Sequence, residues 1–152
     1  MTLQDLAYKE MDLYSKTIDL YHQPYSFDTE KKLGEICLEY KKIHQAYADL
    51  SSSDIEALKR GLFIQWYALS EPSYLTGIAD LDETTEAKII EDLNDFIKAK
   101  KIDDELIWML NYYARWDRIF DRISSFKGFD KTVVNEQNDK LPEIIERENY
   151  SA

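Results

Sequence analysis

Residues 61–79 read GLFIQWYALSEPSYLTGIA, from Gly61 to Ala79. The 152-residue chain is 32% charged, yet these 19 residues hold one charge, Glu71. A helix through the first part is apolar round most of its circumference: Leu62, Trp66 and Leu69 on one face, Phe63, Ile64 and Tyr67 beside it. Such a helix needs neighbours on most sides. The stretch therefore reads as the centre of an all-α domain. It fails as a membrane span, which needs roughly 20 mostly apolar residues, because Gln65, Ser70, Pro72, Ser73 and Thr76 interrupt it.

This central helix opens after Ser51-Ser52-Ser53, where Ser53 and Glu56 have the spacing of a capping box. Glu71-Pro72 stops it. Pro72 to Leu81 reads as a loop that folds back over the core, with Gly77 as its turn residue. Upstream, a helix from Leu3 to Tyr21 repeats Leu3, Leu6, Ala7, Met11, Tyr14, Ile18 and Tyr21 at three and four. His22-Gln23-Pro24 ends it. A second helix starts after Ser26 or Asp28. Leu33, Ile36, Tyr40, Ile43, Tyr47 and Leu50 make its face, with Gly34 near its start tolerated if another helix packs closely there.

Downstream, Asp82 caps a fourth helix whose face is Ile89, Ile90, Leu93, Phe96 and Ile97. Asp103 caps a fifth, from Asp104 to about Ser124, with Leu106, Met109, Leu110, Tyr113 and Phe120 on one side. Trp108, Tyr112, Trp116, Ile119 and Ile123 fill the adjoining arc, so this helix is expected to pair with the third at the centre. Lys131 to Asn138 and Pro142 to Glu148 read as short helices. The expectation is one compact five-helix bundle-like domain, residues 1–152, with short C-terminal helical segments.

Thirty acidic residues against 19 basic ones give a net charge of −11. That repels phosphate backbones, so nucleic acid is not an expected partner. Asp80 to Asp95 alone holds seven acids against Lys88. It reads as a solvated face, or as one that steers a basic partner. One cysteine, Cys37, excludes an intramolecular disulfide framework and fits a reducing compartment. The opening MTLQDLAYKEMDLYSK lacks the apolar run of a secretory signal. Together these predict a cytoplasmic protein.

No P-loop, GxGxxG, GxSxG or HExxH occurs, so the sequence suggests no cofactor and no catalytic residue. Di-iron bundles need Glu-x-x-His pairs, but His22 follows Asp19 and His44 follows Lys41, so no metal site is expected. Asp117 and Asp121, in the arginine-rich run Arg115 to Arg122, make at most half of a diphosphate site. Polar residues do fall on apolar faces: Glu10, His44, Gln65 and Asp117, each on a different helix. Burial demands partners for them, and eleven tyrosines, with nearby arginines and backbone groups, can supply these. The alternative is convergence on an interhelical pocket for a small molecule or ion, to which Glu71 and Tyr74 would add from the uncharged connection. Phe63, Tyr67, Trp108, Tyr112 and Trp116 are the interface candidates, because surplus Tyr and Trp mark contact surfaces. The wide apolar arcs also allow a homodimer. The first function expected is a noncatalytic helical protein acting through protein contacts, with a basic partner.

Overall fold

A short polar side chain opens each long helix by bonding its first free amides. Thr2 caps α1 (Leu3–Tyr21) in a reciprocal box with Asp5. Ser26 does the same with Thr29 for α2 (Phe27–Leu50). Asp54 starts α3 (Ile55–Ser70), accepting from Glu56 N and Ala57 N. One turn, α4 (Ser73–Thr76), follows Pro72. Asp82 caps α5 (Glu83–Lys98), and the Asp103 carboxylate accepts from Leu106 N at 2.8 Å to open α6 (Asp104–Ala114). The computed structural model describes residues 1–114. Expectations on 115–152 lie outside the described residues, including Trp116, Asp117, the arginine-rich run and the short helices near 131–138 and 142–148.

The described residues fold all-α, with six helices and no strand. The cap of α3 is Asp54, not Ser53, because Ser53 and Asp54 still donate to Leu50 O and belong to the turn leaving α2. The loop after Pro72 contains one helical turn and ends at Gly77, in the left-handed region at φ 76°.

α2 packs on α1, α3 and α5, and α3 packs on α2, α4 and α5. α2 and α3 thus form a central pair, and α3 also meets α6, the helix expected beside it, through Lys59 and Trp66. His44 meets Gln65 while Tyr47 lies near Gly61, so residue numbers rise on one helix as they fall on the other: α2 and α3 are antiparallel. α6 runs parallel to α3, since Lys59 reaches Asp103 and Glu105 while Trp66 meets Tyr113 seven residues on. Along α3, Ala57 to Lys59 and Gly61 to Trp66 are all buried. The wide apolar arc has neighbours on every side, and only its last turn emerges, which leaves Leu69 exposed against expectation.

Two helical glycines have different surroundings. A Cβ on Gly61 would lie 2.7 Å from Ile89 Cδ1, so the missing side chain lets α5 close on α3. A Cβ on Gly34 would meet nothing within 4 Å, so no close helix contact explains that residue.

α1 presents a different face from the one its apolar period suggests. Leu6, Glu10, Leu13 and Thr17 are buried, while Met11, Ile18 and Tyr21 are exposed. The reason lies in what covers it. Gly77 is wedged against α1 and α2, where a Cβ would come within 2.5 Å of Thr17 Oγ1 and 2.8 Å of Ile36 Cγ2. A small residue is required there, and Thr17 satisfies its own hydroxyl by donating to Leu13 O at 2.8 Å. Among the described residues, no helix is long and apolar enough to cross a membrane.

Candidate functional site

Four polar groups inside the bundle are held by named partners. Glu10 is 1% exposed. Its Oε1 accepts the Tyr47 hydroxyl at 2.6 Å, and Arg60 Nη1 stands 3.4 Å away. Burial drives the carboxyl up to about 7, with Tyr47 and Arg60 pulling it down. The tyrosine and the arginine are the partner types a core carboxylate needs. His44 is fully buried and meets Gln65 across α2 and α3, Nε2 to Oε1, at 2.9 Å. With the Gln65 oxygen as acceptor, the ring proton sits on Nε2. Burial lowers the imidazole to about 4, against the opposing pull of Gln65, so the ring is neutral.

Two further ties went unseen in the sequence. Lys59 is 1% exposed, and its ammonium donates to Asp103 at 2.6 Å, Glu105 at 2.8 Å and Glu56 at 3.0 Å. Burial works against that charge, but the three carboxylates outweigh it and hold its pKa above the ordinary lysine value. Asp92 accepts from Lys88 at 2.8 Å and from the buried Ser51 hydroxyl, while Lys88 also donates to Ala48 O at the end of α2. The acidic segment 80–95 is therefore not one solvated face: Asp92 is buried and Asp82 is a cap. The sequence signal for Lys59 was available, as a lone lysine inside the apolar arc three residues after Glu56.

Among the described residues, the interhelical candidates have separate hydrogen-bond partners. His44 and Gln65 are bonded to each other, whereas Glu10 is bonded to Tyr47 and Arg60. Glu71 caps the end of α3, its N–H donating to Tyr67 O at 3.1 Å. Tyr74 is exposed and stacks on Tyr21, ring centroids 6.3 Å apart. Cys37 is half-buried, and burial raises its thiol pKa, which does not favour a reactive thiolate. Among the described residues, no three His, Cys, Asp or Glu side chains are placed to hold a metal ion.

Of the interface candidates, Phe63 is buried and stacked on Tyr67 at 5.0 Å. Trp108 is half-buried and stacks on Tyr112 at 5.1 Å, and Tyr112 meets Tyr113 edge-on at 5.2 Å. The Tyr113 ring lies 4.6 Å from Trp66, so these rings carry the core of α3 out along α6.

Among the described residues, α1 carries several exposed apolar side chains. Tyr8, Met11, Ile18 and Tyr21 are exposed, Met11 by 48% and Ile18 by 38%. At 100° per residue, Met11 and Ile18 share one line, with Ala7 and Tyr14 on the core side and Ser15 and Tyr8 on the other. Asp19, Asp12 and Asp5 follow beyond Tyr8, seven residues apart, as an acidic row along the same helix. Asp12 also pairs with Lys16 at 2.8 Å, both well exposed, a contact worth under about 1 kcal/mol. The stripe runs toward the α1–α2 turn, where Tyr21, Tyr25 and Tyr74 line a groove of about 360 Å3. Periodicity had found this stripe but assigned it to the core. The competing signal was Leu6, Leu13 and Leu20 at intervals of seven. Compared with family models, curated proteins and solved structures, the chain matches none.

Proposed function

We propose that this chain is a noncatalytic helical protein that binds another protein through the outer stripe of α1, and that the partner is basic. The observation carrying this is the exposed line of Met11 and Ile18 with Tyr8 beside it, flanked on the Tyr8 side by Asp5, Asp12 and Asp19. A helix that already buries Leu6, Leu13 and Thr17 has no structural need for a second apolar row. An apolar seam edged by carboxylates suits an amphipathic segment edged by Lys or Arg. A second copy of this chain suits it less, because two acidic rows would be brought together. The setting is the cytoplasm, where the thiol of Cys37 stays reduced.

The test is affinity capture with two baits, the wild type and Met11→Asp/Ile18→Asp, in low and high salt. The reading requires a protein retained by the wild type, lost with the variant, and weakened by salt. Equal retention by both baits counts against it.

A second reading has one specific observation behind it. His44 Nδ1 is buried without a hydrogen-bond partner among the described residues, which favours a water or small polar ligand between α2 and α3. Xenon or small-amide soaks of crystals, read for density beside His44, test it; an empty, closed site ends it.

A further inference from the structure

The end of α1, the start of α2 and the α4 turn bring three tyrosines to one groove. Tyr21 and Tyr74 stack at 13° to each other and form one wall. Tyr25 also lines it, 83% exposed, its hydroxyl donating to Glu30 Oε2 at 2.8 Å. Leu20 and Leu33 are also in its lining. The groove measures about 360 Å3, near the small end of ligand sites.

Three features of this groove favour a positive charge. Aromatic faces attract cations through their quadrupoles, Tyr among the best. Among the described residues, Glu30 is the one charged residue in the groove's lining. α1 ends here with no basic residue in its last turn, so the negative end of its dipole has no lysine or arginine of its own. The positive end of α2 begins here too, but Asp28 and Glu30 occupy its first turn. Lys32 is held by Asp28 at 3.1 Å.

We infer that this groove is an aromatic cage for the cationic head of a Lys or Arg side chain carried by a protein partner. The openness of the site chooses that source over a free small cation. A small ligand gains affinity when most of its surface is buried, and Tyr25 leaves one side of the cage to water. A side chain reaching in from a docked segment needs only its head enclosed. The stripe of Met11 and Ile18 leads into Tyr21, so a segment lying along α1 delivers its basic residue to the cage. The inference rests on the protein-binding reading for its source, but its chemistry is testable alone.

The probe is Nα-acetyl-lysine methylamide, titrated into the isotope-labelled full chain at constant ionic strength and followed by NMR. Its neutral counterpart, Nα-acetyl-norleucine methylamide, and tetramethylammonium are the controls. The cage predicts saturable shifts of Tyr21, Tyr25 and Tyr74 with the lysine analogue and none with norleucine. Tyr74→Leu and Tyr25→Leu each weaken binding by about two- to fivefold, the size of an exposed cation–π contact. Tyr74→Phe, which keeps the ring face, binds like the wild type, and Glu30→Gln weakens. Three results overturn the inference: equal shifts from norleucine, shifts spread over 80–95 in place of the groove, or tighter binding of tetramethylammonium than of the lysine analogue. The capture experiment reads the stripe, and this titration on the unaltered stripe reads the cage, so a failure of one is distinguishable from a failure of the other.

Discussion

Tyr47 donates its hydroxyl to Glu10 at 2.6 Å and so ties the last turn of α2 to the buried face of α1. A carboxyl group 1% exposed is tolerable only with such a bond. Arg60 adds a cation from α3, so one acid joins three helices.

Removing one partner strands the other. Tyr47→Phe should destabilise by about 1.5–3 kcal/mol, the range for a buried bond to a charged or strongly polar group. Glu10→Gln keeps an acceptor and should cost less. Urea unfolding reads both, and a loss below about 0.5 kcal/mol for Tyr47→Phe would mean that the bond is not holding α1.

Glu10 and His44 pull stability in opposite directions with pH. The Glu10 carboxyl is raised from 4.5 to about 7. Between those values the folded state keeps a proton that the unfolded chain has lost. Its contribution is complete below pH 4.5 and is lost as pH rises to 7. His44 is lowered from 6.5 to about 4. There the unfolded chain holds the proton, so its contribution is complete above 6.5 and is lost as pH falls to 4. Each effect is on the order of 3 kcal/mol. Glu10→Gln should therefore weaken steadily from pH 6.5 toward 4.5, while His44→Gln should strengthen over the same interval. Denaturant midpoints across that range check the signs, and parallel slopes in the two variants would refute them.

Backbone geometry separates three substitutions that add or remove a side chain at a glycine-type position. Gly77→Ala forces a side chain into the left-handed region and against Thr17 and Ile36, and should cost about 2–4 kcal/mol. Gly34→Ala meets empty space inside a helix and should stabilise by about 0.5–1 kcal/mol. Lys100 sits at φ 57° after α5, where Lys101 N donates to Phe96 O and Lys100 N to Ile97 O. That is the Schellman arrangement, in which glycine is preferred. Lys100→Gly should stabilise by about 1 kcal/mol. Thermal melts of the three variants give the order directly.

Trp66 is 1% exposed and packs on Tyr113. Trp66→Ala should cost about 3–5 kcal/mol in denaturant unfolding. A loss under 1 kcal/mol would place it outside the core.

The helices were legible because punctuation and period agree: Ser26, Asp82 and Asp103 cap where expected, and α2 buries the face its spacing gives. α1 misled because it carries two apolar rows. Its buried row includes Glu10 and Thr17, which a hydrophobic count rejects, and only the approach of Gly77 and the bonds to Tyr47 select it. Pairings such as Lys59 with Asp103 and Glu105 span more than 40 residues, and no local spacing encodes them. Glu10, His44 and Gln65 were each identifiable as polar groups on apolar faces. Which of them meet depended on helix rotation, which period alone leaves open.

The most direct measurement places a photo-crosslinking phenylalanine at Ile18, with the same group at exposed Leu38 on α2 as the control, and identifies the products by mass spectrometry. The account predicts a distinct basic protein joined at position 18 and not at 38, with the crosslink reduced by salt. Only self-crosslinked dimers, or identical products from both positions, would contradict it.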